Sequence, residues 1–107
     1  MSSLEDRRDA FEKKYVHDEE LRFRVEARTS RLFGLWAAQQ MGLDGPAAET
    51  YAREVIGANL EEPGYDDIKR KVLKDFESKG VKSSGHMLDR EIEKCHEEAK
   101  KQLSETG

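Results

Sequence analysis

The side chains with the most reactive chemistry are three histidines and a single cysteine, and their spacing matches no common catalytic or metal-binding motif. His86 and Asp89 are three residues apart, whereas Cys95 and His96 are adjacent and would point to different faces of a helix. No HxxxH, CxxC or HExxH spacing is present for a metal ion. Candidate nucleophiles lack a base and an orienting group at a recognisable spacing. We therefore predict a protein without catalytic activity, metal or cofactor.

Phosphate-binding chemistry is also weakly represented in this sequence. The run GVKSSGH does not have the P-loop order, and we interpret it as a helix end followed by Ser84 as the cap of the next helix. A basic cluster is surrounded by four acidic residues, and the formal net charge is -4, so we do not expect nucleic acid as a partner. The cluster consists of Lys69, Arg70, Lys71 and Lys74.

The single cysteine excludes an internal disulfide and fits a reducing compartment. Ile92 and Ala99 flank Cys95 at helical spacing, which favours a buried structural thiol. The run LFGLWAAQQMGL is too short to span a bilayer, and the start MSSLEDRRD has acidic residues where a signal peptide needs basic and apolar ones. We predict a cytoplasmic protein that does not insert into a membrane.

The apolar residues recur at helical spacing, so helices would position any functional side chain. The acidic triplet at residues 18–20 favours a helix N-terminus with Asp18 as the cap, and Gly42 is a suitable stop. We therefore predict a first helix at 18–42. No proline or glycine interrupts residues 15–17, so the sequence leaves open whether residues 4–15 are continuous with this helix. Its apolar stripe is expected to comprise Leu21, Val25, Leu32, Leu35 and Trp36.

Three further helices are predicted at 45–60, 66–79 and 84–104, joined by short loops. Gly57 costs about 1 kcal/mol relative to alanine inside a helix, and we expect close helix packing to explain it. The predicted fold is all-α, a four-helix bundle formed by residues 18–107. The apolar stripes are Ala48, Tyr51, Ala52, Val55, Ile56 and Leu60, then Ile68, Val72 and Phe76, then Leu88, Ile92, Cys95, Ala99 and Leu103.

The segment before this bundle has good helix formers but little apolar surface. Leu4, Phe11 and Tyr15 share one helical face, and burying all three returns about 5–8 kcal/mol. Ordering the dozen residues costs on the order of 12–20 kcal/mol in backbone entropy. A solvated chain end is the simpler interpretation, but it does not account for the two aromatic residues. We predict that residues 1–17 form a mobile segment that becomes helical against a partner.

Several blocks of this sequence occur in a specific order, namely DRRDAFEKKYVHDEELRFR, LFGLWAAQQMGL, AETYAREVI and GVKSSGHMLDREIE. Together they resemble the zeta subunit family of small bacterial ATP synthase inhibitors, over essentially the whole chain. The resemblance implies a four-helix bundle preceded by a mobile inhibitory segment. Gly85 departs from the family pattern, because an acidic residue is expected at that position.

The resemblance also implies a partner and a mechanism. The N-terminal segment would enter the catalytic head of the F-type ATP synthase at a catalytic α/β interface and block rotation in the direction of ATP hydrolysis. The synthase would hold the protein at the cytoplasmic face of the membrane, and we expect the free protein to be a monomer. The residues that match the family in this segment include Asp6, Arg7, Ala10, Phe11 and Tyr15.

The apolar face of the N-terminal segment and the family resemblance together give a hypothesis for binding. Leu4, Phe11 and Tyr15 would fill apolar sites on the partner, and the bundle would act as a stop that also contacts the central stalk. Four basic residues would pair with acidic groups of the partner, namely Arg7, Arg8, Lys13 and Lys14. Two alternatives from other classes are a helical module that binds a nucleotide or similar small molecule, and a DNA-binding regulator. Deletion of residues 1–15 distinguishes the inhibitor from the small-molecule binder, and salt-sensitive retention on DNA would identify the regulator.

Overall fold

The computed structural model describes the backbone of residues 3–59 and 64–106 and the side chains of residues 19–58 and 64–104. Within these ranges the protein has four α-helices and no strand, which confirms the predicted all-α four-helix fold. The helices are α1 (Ser3–Gln40), α2 (Gly45–Asn59), α3 (Asp66–Lys79) and α4 (Gly85–Thr106).

The start of α1 differs from the prediction. We expected a helix to begin near Asp18, but the backbone is helical from Ser3, so Asp18 lies inside the helix and does not cap it. No glycine or proline occurs before Gly34, and extending an existing helix avoids the cost of a new helical nucleus. The mobility of residues 1–17 is a property separate from this helical continuity, and it stays a prediction.

α1 and α4 run antiparallel along one side of the bundle. The Nη1 atom of Arg28 donates a hydrogen bond of 2.9 Å to Oε1 of Gln102, close to the end of α4. Farther along α1, Leu32 and Trp36 line a groove together with Cys95. Later residues of α1 therefore lie beside earlier residues of α4, and the last turns of α4 lie beside the middle of α1.

α2 crosses α1 where Gly34 removes the side chain that would keep the two helices apart. A Cβ atom on Gly34 would lie 2.9 Å from Cα of Ala52 and 3.2 Å from Cβ of Val55. A Cβ atom on Gly57, in contrast, would have nothing within 4 Å. The expectation that Gly57 serves close helix packing was therefore wrong, and Gly34 has that role.

The core lies where the four helices meet, and aromatic rings form its centre. Phe33 and Phe76 are fully buried, and the ring of Trp36 lies 5.6 Å from Phe33 and 5.9 Å from Phe76, centroid to centroid. Ile56 and Leu103 are half-buried, whereas Leu60 lies outside the described residues. The other members of the predicted α2, α3 and α4 stripes are buried, as predicted, namely Ala48, Tyr51, Ala52, Val55, Ile68, Val72, Phe76, Leu88, Ile92, Cys95 and Ala99.

The predicted stripe of α1 was wrong at its first position. The side chain of Leu21 is 41% exposed, and Val25 is the first described residue of α1 that is buried. Thr29 continues the buried face although it is polar, because its hydroxyl donates a hydrogen bond of 2.6 Å to the carbonyl of Val25. The other three stripe residues are half-buried and pack against the edge of the core, namely Leu32, Leu35 and Trp36.

The GVKSSGH run has the structure that we inferred from its sequence. Gly80 ends α3 in the left-handed conformation with a φ of 73°, and its N–H donates to the carbonyl of Glu77. The hydroxyl of Ser84 accepts a hydrogen bond of 3.1 Å from the backbone N–H of Met87 and so caps α4. These two local interactions terminate one helix and begin the next.

Candidate partner-binding surface

All nine residues that we predicted to bind a partner lie in the first four turns of α1. Since α1 is helical from Ser3, these residues share one continuous backbone element with the part of α1 that enters the bundle. Their side chains lie outside the described ones, so their roles stay predictions. They are Leu4, Asp6, Arg7, Arg8, Ala10, Phe11, Lys13, Lys14 and Tyr15.

The next part of α1, residues 19–24, has every side chain exposed. Two of these side chains are large and apolar, with Leu21 41% and Phe23 59% exposed. The sequence reasoning assigned Leu21 to the core and did not single out Phe23. The signal available in the sequence was the alternation of Arg22, Phe23 and Arg24, in which an aromatic residue is flanked by two cations.

The bundle begins abruptly at Val25. Its side chain is 7% exposed, and three residues later Arg28 bonds to Gln102 of α4. Residues 3–24 therefore precede the first described core contact of α1. At 1.5 Å per residue, this part of the helix is about 33 Å long. The principal-axis extents of 65 × 24 × 20 Å reflect the same elongated shape.

A bidentate ion pair fixes α1 against α2 on the surface of the bundle. The guanidinium of Arg31 donates two hydrogen bonds, of 2.8 and 3.0 Å, to the two carboxylate oxygens of Glu49. These hydrogen bonds lower the pKa of the Glu49 carboxyl and raise the pKa of Arg31. The pair therefore links α1 to α2 within the bundle.

Three of the four cations in the basic cluster of α3 form ion pairs with carboxylates. Lys69 lies 3.0 Å from Asp89, Arg70 lies 2.8 Å from Asp67, and Lys71 lies 3.2 Å from Asp75. Each pair neutralises a cation that a DNA reader would need for phosphate contacts. This arrangement disfavours the hypothesis of a DNA-binding regulator.

A second network joins α2 to α3. The hydroxyl of Tyr51 donates a hydrogen bond of 2.7 Å to Oδ2 of Asp75, and Nζ of Lys71 lies 5.3 Å from the centre of the Tyr51 ring. Burial raises the pKa of Tyr51, and the hydrogen bond to Asp75 raises it further. Tyr51 therefore remains a neutral hydrogen-bond donor, and the network stabilises the packing of the two helices.

The thiol and two of the histidines lie in the described part of the structure. Cys95 is 7% exposed, and burial raises its pKa to about 12, so the thiol is protonated at neutral pH as expected of a structural residue. The hydroxyl of Tyr65 and Nδ1 of His96 lie 2.8 Å apart and share a hydrogen bond. Among the described residues no group of three or more histidine, cysteine, aspartate or glutamate side chains could hold a metal ion.

Comparison with known protein families identifies the kind of protein that carries this long helix. The family described as ATPase inhibitor subunit zeta matches residues 1–102. The chain belongs to this family. The match covers the N-terminal part of α1 and the bundle as far as Gln102, so this member of the zeta subunit family is expected to regulate an ATPase.

A solved structure gives independent support for the fold. A protein studied by solution NMR is 37% identical in sequence, and the alignment covers 81% of this chain and 99% of that one with a TM-score of 0.70. No curated protein sequence matches this zeta-family chain. Among the described residues, no helix has both the length and the apolar character required to cross a bilayer.

Proposed function

We propose that this zeta-family protein inhibits ATP hydrolysis by the F-type ATP synthase without being an enzyme itself. The N-terminal part of α1 enters a catalytic α/β interface of the synthase head and blocks rotation in the hydrolysing direction. The family match carries the inhibitory part of this proposal. The length of α1 that precedes the bundle supports the insertion mechanism, because residues 19–24 have no side chain in the core and the helix starts at Ser3.

The segment binds through apolar anchors and charge pairs. Leu4, Phe11 and Tyr15 provide the apolar contacts, and helix-in-groove recognition commonly uses anchors at such spacing. Asp6 and Ala10 complete the set carried over from the family. Basic side chains at four positions face carboxylates of the partner, which adds specificity and speeds association. These are Arg7, Arg8, Lys13 and Lys14.

The bundle prevents α1 from entering farther. Its first described buried residue on α1 is Val25, and α4 lies beside the helix from about Arg28 onward. A cleft that accepts a single helix cannot accept the bundle, so the bundle halts against the outside of the head. There it is positioned to contact the central stalk.

The test is a titration of ATP hydrolysis by the purified cognate catalytic head. The full chain, a chain without residues 1–15 and a Phe11→Ala variant are added in increasing amounts. We expect the full chain to inhibit, the truncated chain to have no effect, and Phe11→Ala to require about tenfold or more protein for half-inhibition.

The outcomes separate the function from the mechanism. If the full chain does not inhibit, the inhibitory function is wrong. If the truncated chain inhibits as well as the full chain, the function stands and the N-terminal insertion is wrong. Circular dichroism of each variant checks that the bundle remains helical.

A further inference from the structure

Residues 19–24 form an exposed length of α1 between the proposed inhibitory segment and the bundle, and we name it the collar. Leu21 and Phe23 are the large apolar side chains of the collar, 41% and 59% exposed. Single exposed apolar residues are ordinary on protein surfaces. Here two occur within three positions of one helix, close to the segment that we propose binds the partner.

The two apolar side chains face opposite sides of α1. Residues two positions apart are separated by about 200° around a helix, so Leu21 and Phe23 cannot both lie on one flat surface. A partner that covers both must enclose the helix from two sides. A cleft has this shape, whereas the surface of a second bundle packed side by side does not.

The collar is also close to the inhibitory segment. Phe23 lies eight positions after residue 15, and the helix is continuous between them. At 1.5 Å per residue this distance is about 12 Å. A partner that holds residues 4–15 inside a cleft is therefore adjacent to the collar.

The collar as a whole is neutral, because Glu19 and Glu20 balance its two arginines, but both residues adjacent to Phe23 in the sequence are cations, and these indicate the chemistry of the surface that would cover it. Arg22 is 64% exposed and its Nη2 atom lies 3.9 Å from Oε2 of Glu19, at the outer limit of an ion pair. Arg24 is exposed on the other side of Phe23 in the sequence. An apolar site with carboxylates at its edge would complement this arrangement.

We infer that the collar is a second docking element, and that it binds the rim of the same cleft of the ATP synthase head. Phe23 fills an apolar site at the rim, Leu21 contacts the opposite wall, and Arg22 and Arg24 face acidic groups there. The cleft encloses α1 until Val25, where the bundle begins. This inference rests on the proposed function and extends the interface beyond the segment that the sequence indicated.

The test compares Phe23→Gln with Met87→Gln in the hydrolysis titration. Met87 is the matched control because it is also an exposed apolar residue, 37% exposed, near the start of α4. It lies fifteen positions, or about 22 Å of helix, before Gln102, which is beside α1 near the collar. We expect Phe23→Gln to raise the concentration for half-inhibition about tenfold or more, and Met87→Gln to leave it unchanged.

Other results would contradict the collar contact, its occupant or the proposed function. If the wild-type chain inhibits and Phe23→Gln inhibits equally well, the collar contact is wrong while the proposed function stands. Equal weakening by both variants would also overturn it, because the effect would not be local to the collar. If sedimentation velocity shows that the wild-type chain self-associates and that Phe23→Gln abolishes this, the occupant is a second copy of the chain. A wild-type chain that does not inhibit overturns the proposed function itself.

Discussion

Gly34 determines how closely α1 and α2 approach. A Cβ atom at this position would lie 2.9 Å from Cα of Ala52, and a backbone atom cannot move aside as a flexible side chain can. We expect Gly34→Ala to lower the free energy of unfolding by about 1–3 kcal/mol, measured by denaturant titration. Gly57→Ala is the matched control, since the same change meets no atom within 4 Å there and replaces a poor helix former by a good one. A gain of up to about 1 kcal/mol is expected for that control. Destabilisation by both variants alike would argue against the close approach at Gly34.

The ion pair between Arg31 and Glu49 predicts a specific pH dependence of stability. The hydrogen bonds from Arg31 hold the pKa of Glu49 below its usual value in the folded state. Its contribution is therefore complete above the unfolded-state pKa of about 4.3 and is lost as the pH falls through the lower folded-state value. We expect the difference in unfolding free energy between wild type and Glu49→Gln to be constant near neutral pH and to vanish in acid.

Two controls accompany this pH series. Glu77→Gln makes the same chemical change at an exposed glutamate of α3 and is the reference for the series. High salt should reduce the Glu49 effect, because both partners are about half-exposed, 40% for Arg31 and 43% for Glu49. A difference that persists at low pH would show that Glu49 stabilises the bundle through packing instead of charge.

At the scale of helices, the sequence was most informative where local interactions decide the structure. Gly80 and Ser84 mark the end of α3 and the start of α4 through their own backbone and side-chain preferences, so both could be read directly. The start of α1 could not be read from the sequence in this way. The acidic residues 18–20 favour a helix N-terminus, but they are equally compatible with a helix interior, where Glu19 lies 3.9 Å from Arg22 one turn later.

The distinction between local and tertiary interactions also explains which parts of the candidate site were predictable. The aromatic spacing of the N-terminal segment is a local pattern and could be recognised in the sequence. The exposure of Leu21 and Phe23 depends on which part of α1 packs against α4, which is a tertiary property. Gly34 and Gly57 illustrate the point again, because both lie inside helices and only the packing of α2 across α1 shows which of them is needed.

For the molecule as a whole, the proposed mechanism requires α1 to be stiff between the segment and the bundle. A bundle can set the depth of insertion only if the helix that enters the cleft is rigidly connected to it. The backbone is helical through position 17, and the first described buried residue of α1 is Val25. A break at position 17 would therefore separate the two parts without removing a described core contact.

His17→Pro tests whether this connection acts as a rod. Proline removes a backbone hydrogen bond and clashes with the preceding turn, so it kinks or breaks a helix interior. We expect the unfolding midpoint of the bundle to remain close to that of wild type, while half-inhibition of ATP hydrolysis requires about tenfold or more protein. His17→Ala, which removes the same imidazole but favours the helix, should inhibit like wild type. If His17→Pro inhibits as well as wild type, a flexible tether is sufficient, and the bundle does not determine how far α1 enters the synthase head.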